Sequence, residues 1–266
     1  MELKDKVIVI TGASSGIGEA LALALAPRGP RLVLSGRDGA KLDEMTAACE
    51  KRGARAISHV ADISDPADCQ SIIERAVVEF GGIDVLVNNA GVTMWARFDA
   101  LADLAAFEQL MRVNYLGAVY LTRYALPALK KSRGLIVAVA SVAGFTGVPE
   151  RTAYAGSKHA LVGFMESLRI ELAGSGVDVT IVAPDFVLTQ THKRAIGPDG
   201  KPLGASPMQT TRIMPAEECA VRIVTAIERR KRLVILSARG RLGRWLKLIA
   251  PDLIDRIAAR AIRRRY

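Results

Sequence analysis

The sequence predicts an α/β fold in which two layers of helices enclose one doubly wound, parallel sheet of seven strands. Short apolar runs rich in Val and Ile alternate with longer segments of helical periodicity, which is the pattern of successive βαβ units. The chain has 266 residues and half of them are apolar, enough to bury a sheet on both faces within one domain.

The individual elements follow in order from this alternation. The first strand is the run Val-Ile-Val-Ile, and a glycine-rich turn separates it from a helix that begins at Gly16. The expected strands span residues 7–10, 31–35, 55–60, 85–88, 135–140, 177–182 and 233–236. The expected helices span residues 16–27, 40–52, 66–80, 104–130, 152–173 and 216–229. Segment 185–214 is longer than a connector needs to be, which favours a mobile lid.

Composition narrows the class of protein. The cysteines, Cys49, Cys69 and Cys219, are too few and too far apart for a disulfide framework or a metal cluster, which indicates inert thiols in a reducing compartment. The start of the chain does not resemble a secretory signal, and no run of about 18 apolar residues predicts a membrane span. We therefore expect a cytoplasmic protein that is soluble or lies peripherally at the inner face of a membrane.

The formal net charge of +10 is concentrated at one end of the chain. Residues 1–227 carry 24 Lys and Arg against 24 Asp and Glu, whereas residues 228–266 carry 13 basic residues against three acidic ones. A neutral body argues against a nucleic-acid surface spread over the fold. No nucleic-acid partner is expected, because no recognition motif accompanies the basic tail.

The turn Thr-Gly-Ala-Ser-Ser-Gly-Ile-Gly at residues 11–18 lies between the first strand and the first helix. Its glycines allow a tight turn and a close approach of the backbone to phosphate oxygens, while the start of the helix offers free N–H groups. The same pattern also suits a tight strand-to-helix connection that binds nothing.

Tyr154 and Lys158 are four residues apart in a predicted helix and therefore share one face. An unperturbed phenol has a pKa of about 10 and carries protons poorly at neutral pH. A desolvated lysine and a positive nicotinamide ring can together lower that pKa by roughly three units. Together with the glycine-rich turn, the pair predicts an enzyme in which a tyrosine moves the proton that accompanies a hydride transfer.

Four separated motifs together resemble the classical short-chain dehydrogenase/reductase family over roughly residues 4–236. They are the glycine-rich turn, the sequence Asn-Asn-Ala-Gly at 88–91, Ser141, and Tyr154 with Lys158. The resemblance implies a Rossmann-type fold with Tyr154 as general acid/base and Lys158 as its pKa-lowering partner and ribose ligand. It also implies that Ser141 donates a hydrogen bond to the substrate oxygen and that Asn114 holds a water of the proton relay.

The resemblance further implies a nicotinamide dinucleotide cofactor. The implied cofactor residues are Gly12, Ser14, Ser15, Gly16, Ile17, Gly18, Asp62, Ile63, Asn89, Ala90, Gly91, Tyr154, Lys158, Val187 and Thr189. Asp62 is also placed to cap the helix that begins near Pro66, and residues 88–91 are equally suited to pinning the central sheet. In the sequence Pro-Asp-Phe-Val-Leu-Thr at 184–189, Asp185 replaces the family's glycine and leaves the path of the loop open.

The choice of cofactor depends on the sequence Ser-Gly-Arg at residues 35–37, after the second strand. An acidic residue there would accept from the ribose 2′-OH, whereas an arginine pairs with a 2′-phosphate. Gly36 occupies the acidic position and Arg37 follows it, so the sequence favours NADP(H) over NAD(H). Against this, Arg37 also suits a solvated surface position, and Asp38 beside it weakens the attraction for phosphate.

The expected substrate pocket is bulky and apolar, which suits an apolar alcohol or ketone better than a sugar. Its expected walls are Met94, Trp95, Ser141, Val142, Val148, Pro149 and Phe186. Arg151 either receives a carboxylate or phosphate there or is an exposed cation at the start of its helix. His59, His159 and His192 have neither metal-ligand nor triad spacing, so no metal site is expected.

Residues 242–262 have an amphipathic helical pattern that Pro251 interrupts. Leu, Ile and Trp recur at intervals of three and four residues, and arginines fall largely on the other face. Basic residues beside such an apolar face suit an anionic membrane surface. The same periodicity would also arise from a helix that packs on the protein's own body or on a second subunit.

Together these observations predict a Rossmann-type NADP-binding and catalytic domain at residues 1–238, including the lid at 185–214, and a basic amphipathic helical extension at 239–266. The expected activity is NADP(H)-dependent interconversion of a carbonyl and an alcohol on an apolar, lipid-like small molecule. The alternatives are reduction of a 3-oxoacyl thioester, which the neutral body suits less well, and a non-catalytic protein that senses NADP(H). The resemblance implies a homodimer or homotetramer through the helices at 104–130 and 152–173.

Overall fold

The structure is a computed structural model that describes residues 1–205 and 213–263 of the chain. The strands are β1 (Val7–Thr11), β2 (Arg31–Gly36), β3 (Arg55–Val60), β4 (Val85–Asn88), β5 (Leu135–Val139), β6 (Asp178–Ala183), β7 (Val187–Leu188), β8 (Met214–Pro215) and β9 (Leu233–Ile235). The helices are α1 (Gly16–Leu25), α2 (Gly39–Glu50), α3 (Pro66–Phe80), α4 (Ala105–Met111), α5 (Gly117–Ser132), α6 (Thr152–Glu171), α7 (Ala216–Glu228), α8 (Ala238–Ile249) and α9 (Pro251–Arg263). Every strand expected from the sequence is present, with its ends within one residue of the expected positions.

The central sheet is parallel and has the strand order β3-β2-β1-β4-β5-β6-β9. The chain winds outward from β1 to β3, crosses back to β4 and winds outward in the opposite direction to β9. Helices cover both faces of the sheet, which confirms the three-layer, Rossmann-type doubly wound fold. The order reverses between β1 and β4, which is where ligands bind on sheets of this kind.

Alternate residues of each strand face opposite layers of helices. In β1, Ile8 and Ile10 pack in the core beneath α1 and α7, whereas Val9 packs in a second core beneath α3 and α5. These three side chains are fully buried, and burying a Val or Ile side chain stabilises a fold by about 1.5–3 kcal/mol. The two cores hold the sheet rigidly, so the strand ends take fixed positions around the site.

The helix expected over residues 104–130 is interrupted. After α4 a π-helical turn spans Arg112–Leu116, and α5 continues from there. A π-helical turn contains one extra residue, so the side chains in it rotate relative to those of a regular helix. The turn points Asn114 into the protein, where this side chain is buried.

The segment expected to form a lid lies against the body as far as the structure describes it. The Ile196 carbonyl accepts from the Trp95 N–H at 2.8 Å, and the Ile196 N–H donates to the Thr93 carbonyl at 2.9 Å. β7 and β8 pair in parallel and close the base of the segment. Residues 206–212 of the expected lid lie outside the described residues, and the mobility of the lid stays a prediction.

The amphipathic pattern at the end of the sequence corresponds to α8 and α9. Ser237 caps α8 by accepting from the Gly240 N–H at 2.9 Å. Pro251 is the first residue of α9, a position where its missing N–H leaves no helical hydrogen bond unmade. In the part of the chain that the structure describes, no helix is both long and apolar enough to cross a bilayer.

The cysteines are buried and unpaired. Burial raises the pKa of the Cys49 thiol to about 11 and the pKa values of Cys69 and Cys219 to about 12. A thiol that stays protonated at neutral pH is a poor nucleophile and a poor metal ligand. The cysteines therefore act as small core residues.

Candidate active site

A cavity of about 1170 Å³ runs along the carboxyl ends of the central strands. Its glycine-rich end is lined by residues that follow β1, β2 and β3, at positions 12–17, 36–39 and 61–63. Its apolar end is lined by the loop at 142–149 and by α8 and α9. The C-terminal helices therefore form part of the cavity wall.

Ser141 and Tyr154 meet where the two ends of the cavity join. Ser141 lies just after β5, and Tyr154 lies in the first turn of α6, which brings both side chains to the same strand end. The two side chains both line the cavity, and the Ser141 hydroxyl lies 3.4 Å from the Pro184 carbonyl, to which it donates. The Ala143 N–H donates to Ser141 Oγ at 3.2 Å, which holds the hydroxyl in place.

Lys158 lies one turn after Tyr154 in α6 and is almost fully buried. Its Nζ donates to the Val139 carbonyl at 3.0 Å and lies 5.9 Å from the centre of the Tyr154 ring. Burial lowers the pKa of Lys158 to about 8, so the ammonium form still predominates at pH 7 by roughly ten to one. Tyr154 and Lys158 thus share one helix face and one cavity.

Burial raises the pKa of Tyr154 above the usual value of a phenol. Two neighbours act in the opposite direction, namely the positive charge of Arg151 and, less strongly, the Ser141 hydroxyl. The resemblance assigns the pKa-lowering role to Lys158. In this structure the Arg151 charge acts in the same direction, and the Lys158 ammonium donates to a backbone carbonyl, so the role of Lys158 stays a prediction.

Asn114 lies behind the cavity wall instead of on it. Its Oδ1 accepts from the Val92 N–H at 2.8 Å, and its Nδ2 donates to the Val92 carbonyl and to Ser157 Oγ, each at 2.9 Å. These bonds tie the chain after β4 to α6. The side chain thus holds two parts of the site together, while the water-holding role that the resemblance implies stays a prediction.

The glycine-rich turn forms a cradle at the start of α1. Gly12 has φ +65°, and a side chain there would place its Cβ 2.9 Å from the Cα of Ala90. Ser14, Ser15 and Ile17 line the cavity. Among the described residues no side chain caps α1, so its first N–H groups remain available to an anion.

Two of the glycines implied as cofactor contacts are not on the cavity wall. A Cβ on Gly18 would overlap the Gly12 carbonyl, so Gly18 allows α1 to pack closely on the turn. Gly16 has φ +62° and lies against the Thr189 side chain. Both glycines allow close packing, at Gly18 against backbone and at Gly16 against a side chain, and the cofactor contacts implied for them stay a prediction.

Arg37 and Asp62 face the glycine-rich end together with Gly36, Asp38 and Ile63. Arg37 Nη1 lies 3.7 Å from Asp62 Oδ2, and the Arg37 side chain is two-thirds exposed. Asp62 does not cap α3, because Asp65 accepts from the Ala67 N–H and is the N-cap residue. Asp62 instead accepts from the N–H and the hydroxyl of Ser64.

Residues 88–91 both pin the sheet and line the cavity. Asn89 Nδ2 donates to the Thr11 carbonyl at 2.8 Å, and Thr11 Oγ1 accepts from the N–H groups of Asn89 and Ala90. Asn89, Ala90 and Gly91 all belong to the cavity wall. The sequence leaves cofactor contact and pinning of the sheet as alternatives for this segment, and in the structure the same segment is positioned for both.

The loop after β6 contributes Val187 and Thr189 to the wall. Asp185 at the start of this loop accepts from Ser237 Oγ at 2.9 Å and pairs with Arg239. The replacement of the family's glycine by Asp185 thus connects the loop to the first turn of α8.

The apolar end contains Trp95, Val142, Val148, Pro149 and Phe186, as expected from the sequence. The rings of Trp95 and Phe186 stack, with centroids 6.4 Å apart. Met94 was also expected there, but it is fully buried and packs in a small core cluster with Leu110 and Ile196. Adjacent residues of an extended segment point to opposite sides, so Met94 faces the core when Trp95 faces the cavity.

Arg151 is buried, contrary to the interpretation of an exposed cation at a helix start. Its guanidinium carbon lies 4.1 Å from the Trp95 ring centre, 5.2 Å from that of Phe186 and 5.6 Å from that of Tyr154. The wall of the cavity therefore includes a fixed cation beside the phenol.

Several other residues of the wall had no role predicted from the sequence. His192 lines the cavity, and its Nε2 is 3.0 Å from the Val187 carbonyl. Phe145, Ile254 and Ile257 add apolar surface. The amphipathic pattern marked Ile257 as apolar, but its position over the cavity depends on how α9 docks.

This arrangement can hold an elongated phosphate-containing molecule at the glycine-rich end and an apolar molecule at the other. A hydroxyl and a phenol stand at the junction between them. Such a pair can orient an oxygen atom and give it or take from it one proton.

The chain matches a protein family and several known proteins. A family model described as short chain dehydrogenase matches residues 6–197. The 11-beta-hydroxysteroid dehydrogenase 1A of Arabidopsis thaliana is 36% identical over 260 residues, which cover 95% of this chain and 74% of that protein.

Two solved structures share the fold. A short chain dehydrogenase/reductase from Burkholderia phymatum in complex with NAD superposes with a TM-score of 0.83 at 28% identity, covering 95% of this chain and 96% of the other. The alcohol dehydrogenase from the archaeon Thermococcus sibiricus complexed with 5-hydroxy-NADP has a TM-score of 0.72 at 27% identity, covering 87% and 94%.

Proposed function

The chain belongs to the short-chain dehydrogenase/reductase family of oxidoreductases, and we propose that it interconverts a carbonyl and an alcohol on an apolar, lipid-like substrate with NADP(H). The observation that carries this proposal is that Ser141 and Tyr154 meet at the junction of one long cavity. Its two ends suit a dinucleotide and an apolar molecule.

The residues present fit a nicotinamide dinucleotide. The uncapped start of α1 and the close approach at Gly12 suit a pyrophosphate, and Asn89, Val187 and Thr189 line the path toward Tyr154. When bound, this cofactor supplies or accepts the hydride at the carbonyl carbon. We assign Lys158, which lines the cavity, to bind a ribose hydroxyl, in keeping with the family's pattern.

The proton is handled by the protein's own side chains. Ser141 donates a hydrogen bond to the substrate oxygen and orients it toward the phenol. Burial holds the pKa of Tyr154 above its usual range, so the phenol carries its proton at neutral pH and is ready to donate it during reduction. In the opposite direction the phenolate accepts the proton from the alcohol.

The preference for NADP(H) rests on Gly36 and the exposed Arg37 after β2. Arg37→Asp replaces an attraction for a 2′-phosphate with a repulsion and offers an acceptor to a free 2′-OH, so relative affinity should shift toward NAD(H). Fluorescence titration with both cofactors measures the shift. Lys41→Asp is the control, since Lys41 is exposed and outside the cavity wall. Unchanged relative affinities in Arg37→Asp would contradict the assignment.

The proposed substrate is an alcohol or ketone of steroid or similar size. The bulky walls at the apolar end and the relatives named as hydroxysteroid dehydrogenases support this class. Oxidation of NADPH and of NADH should be compared over steroid ketones, aliphatic ketones, sugars and a 3-oxoacyl thioester. Fastest turnover of the thioester would favour the alternative reductase, and cofactor binding without turnover would favour a non-catalytic sensor.

We also propose that the C-terminal helices lie on the inner, cytoplasmic face of an anionic membrane. Leu242, Trp245, Leu248 and Ile249 are 65–81% exposed, so this apolar face is not packed on the protein's own body. Ile257 is half exposed and also lines the cavity, so the apolar surface continues into the apolar end. The excess of basic residues in 228–266 complements anionic lipid.

Association into a homodimer or homotetramer through α5 and α6 is a further part of the proposal. The family pattern supports it, and Ile170 of α6 exposes an apolar side chain that a second subunit would cover. Size-exclusion chromatography with light scattering gives the mass directly. A monomer at micromolar concentration would overturn this part.

A further inference from the structure

Arg151 occupies an unusual position for a cation. It is only 6% exposed, and burial of a charge is unfavourable unless its surroundings compensate. It is also the N-cap residue of α6, where the helix dipole is positive and where Ser, Thr, Asp and Asn are the stabilising residues. Folding of α6 alone does not explain an arginine here.

Aromatic rings hold the guanidinium in place. Trp95 and Phe186 stack on each other and both lie close to it, with the Trp95 ring centre at 4.1 Å. Contacts of this kind favour a cation over the face of a ring. Trp95 is itself fixed, because its Nε1 donates to Glu150 Oε2 at 2.8 Å. The charge of Arg151 is therefore held in one position.

The preceding backbone turns Arg151 inward. Glu150 has φ +63°, a left-handed conformation that is costly for a residue with a side chain. Its carbonyl accepts from the Ala96 N–H at 2.9 Å, which stabilises the turn. Backbone strain of this kind persists where the surrounding structure enforces it. Here the turn is followed by Arg151, whose guanidinium lies 5.6 Å from the Tyr154 ring centre.

We infer that Arg151 is a positioning residue for the proton step, whose fixed positive charge stabilises the phenolate form of Tyr154. This inference rests on the proposed function of Tyr154. It agrees with the influences on the phenol: burial raises the pKa of Tyr154, and the charge of Arg151 is the stronger of the two influences that lower it.

Other charged or titratable groups also surround Arg151 and Tyr154. Lys158, on α6, lies 5.9 Å from the phenol ring and donates to the Val139 carbonyl. His192, from the segment after β7, is kept neutral because burial and the Arg151 charge lower its pKa. Arg239 of α8 lies on Phe186, and its charge is paired with Asp185. Glu150 bonds to Trp95.

The test is the pH dependence of turnover. Reduction needs protonated Tyr154 and is lost as pH rises through the pKa of that phenol, whereas oxidation needs the phenolate and appears over the same range. Removing a charge at this distance moves such a pKa by about one to two units. We call the fall of the reduction rate and the rise of the oxidation rate with pH the two limbs of the pH profile. In Arg151→Gln both limbs should move to higher pH by that amount. At pH values below the limbs, the oxidation rate should fall by about 10- to 100-fold.

Two variants make the result specific. Arg151→Lys keeps a positive charge and should restore most of the shift. Arg194→Gln removes another arginine of the cavity wall, an exposed one, and should leave the limbs where they are. If the limbs do not move in Arg151→Gln, the inference is wrong. This holds even if the variant is less stable or has a raised KM for substrates that carry a carboxylate.

A second measurement does not depend on turnover. Absorbance titration of tyrosinate, with Tyr154→Phe subtracted, follows the phenol directly in the wild type and in Arg151→Gln. A higher titration midpoint in the variant supports the inference even if Tyr154 proves dispensable for catalysis. An equal midpoint overturns the inference and leaves the proposed function of Tyr154 unaffected.

Discussion

The carboxylate of Asp185 accepts from Nε and Nη2 of Arg239, at 3.1 and 2.8 Å, and so joins the loop after β6 to the first turn of α8. The Asp185 side chain is mostly buried, whereas that of Arg239 is largely exposed. Since α8 and α9 line the apolar end of the cavity, this pair connects the shape of the substrate site to the position of the C-terminal helices.

We therefore expect Asp185→Ala to loosen the wall that the C-terminal helices form. The loss of the paired hydrogen bonds should cost about 1–2 kcal/mol, because one partner is exposed to water, which corresponds to a fall in Tm of roughly 2–8 °C. The KM for an apolar ketone should rise several-fold with a smaller change in kcat, since the phenol and the cofactor cradle are untouched. Calorimetry and steady-state kinetics measure both effects.

A matched control is Asp99→Ala. Asp99 also accepts two hydrogen bonds from one arginine, Arg97, but both side chains of that pair are exposed and lie away from the C-terminal helices. This variant should behave like the wild type. Equal effects of Asp99→Ala and Asp185→Ala would show that the link to α8 has no special role.

Tyr154→Phe removes the transferable proton and keeps the ring. Turnover should fall by roughly 100-fold or more while cofactor affinity stays nearly unchanged. Single-turnover kinetics and cofactor titration separate the two quantities. Tyr120→Phe removes a hydroxyl in α5, outside the cavity wall, and should leave turnover unaffected. A Tyr154→Phe enzyme with near-normal turnover would end the proposed mechanism.

Lys158→Met should reduce turnover and cofactor affinity, yet change stability in a pH-dependent way. The pKa of Lys158 is about 8 in the folded protein against 10.5 for its ordinary value, so the unfolded chain binds more protons between these values. Wild-type stability due to this residue therefore rises with pH across that window, by up to about 3 kcal/mol. The stability of Lys158→Met relative to the wild type should be greatest near pH 7 and fall toward pH 10.

Urea unfolding at several pH values measures this difference. Lys158→Arg serves as the comparison, because an arginine stays charged throughout and removes the titration without removing the charge. A stability difference between Lys158→Met and the wild type that does not change between pH 7 and pH 10 would show that Lys158 is not a desolvated ammonium group.

The membrane contact is best tested by point variants, because truncation of α8 and α9 would also remove part of the cavity wall. Leu248 and Ile249 are exposed and lie outside that wall. Changing both to Glu should weaken sedimentation with anionic vesicles by roughly 100-fold or more, since each loses a buried apolar side chain. Turnover of a soluble ketone should persist.

Val78→Glu is the control, because Val78 is an equally exposed apolar residue on α3, away from the C-terminal helices. Vesicle binding by the wild type should also weaken as salt is raised. If the full-length protein does not sediment with anionic vesicles at low salt, the membrane contact is ruled out. A smaller oligomer in the Leu248 and Ile249 variant would identify the apolar face as a subunit contact.

Local patterns in the sequence were sufficient for the architecture. Strands β1, β4 and β5 are short, largely apolar runs, and their length and burial follow from residues within each run, whereas the edge strands β3 and β9 are only partly buried. The spacing of Tyr154 and Lys158 places them on one helix face for the same reason. Pro251 marks a helix boundary that its ring and missing N–H impose locally. The π-helical turn before α5 departs from this, because Asn114 bonds to the segment after β4 and to α6, which are both distant in sequence.

The tertiary structure alone decided which distant segments meet in the site. Asp185 and Arg239 are 54 residues apart, and neither has a local pattern that predicts the other as its partner. The burial of Arg151 depends on Trp95 and Phe186, which come from two other loops. The apolar face of the tail was evident from its periodicity, but its place over the cavity was not. Periodicity records the face that a segment buries, whereas the identity of the contacting segment depends on packing the whole chain at once.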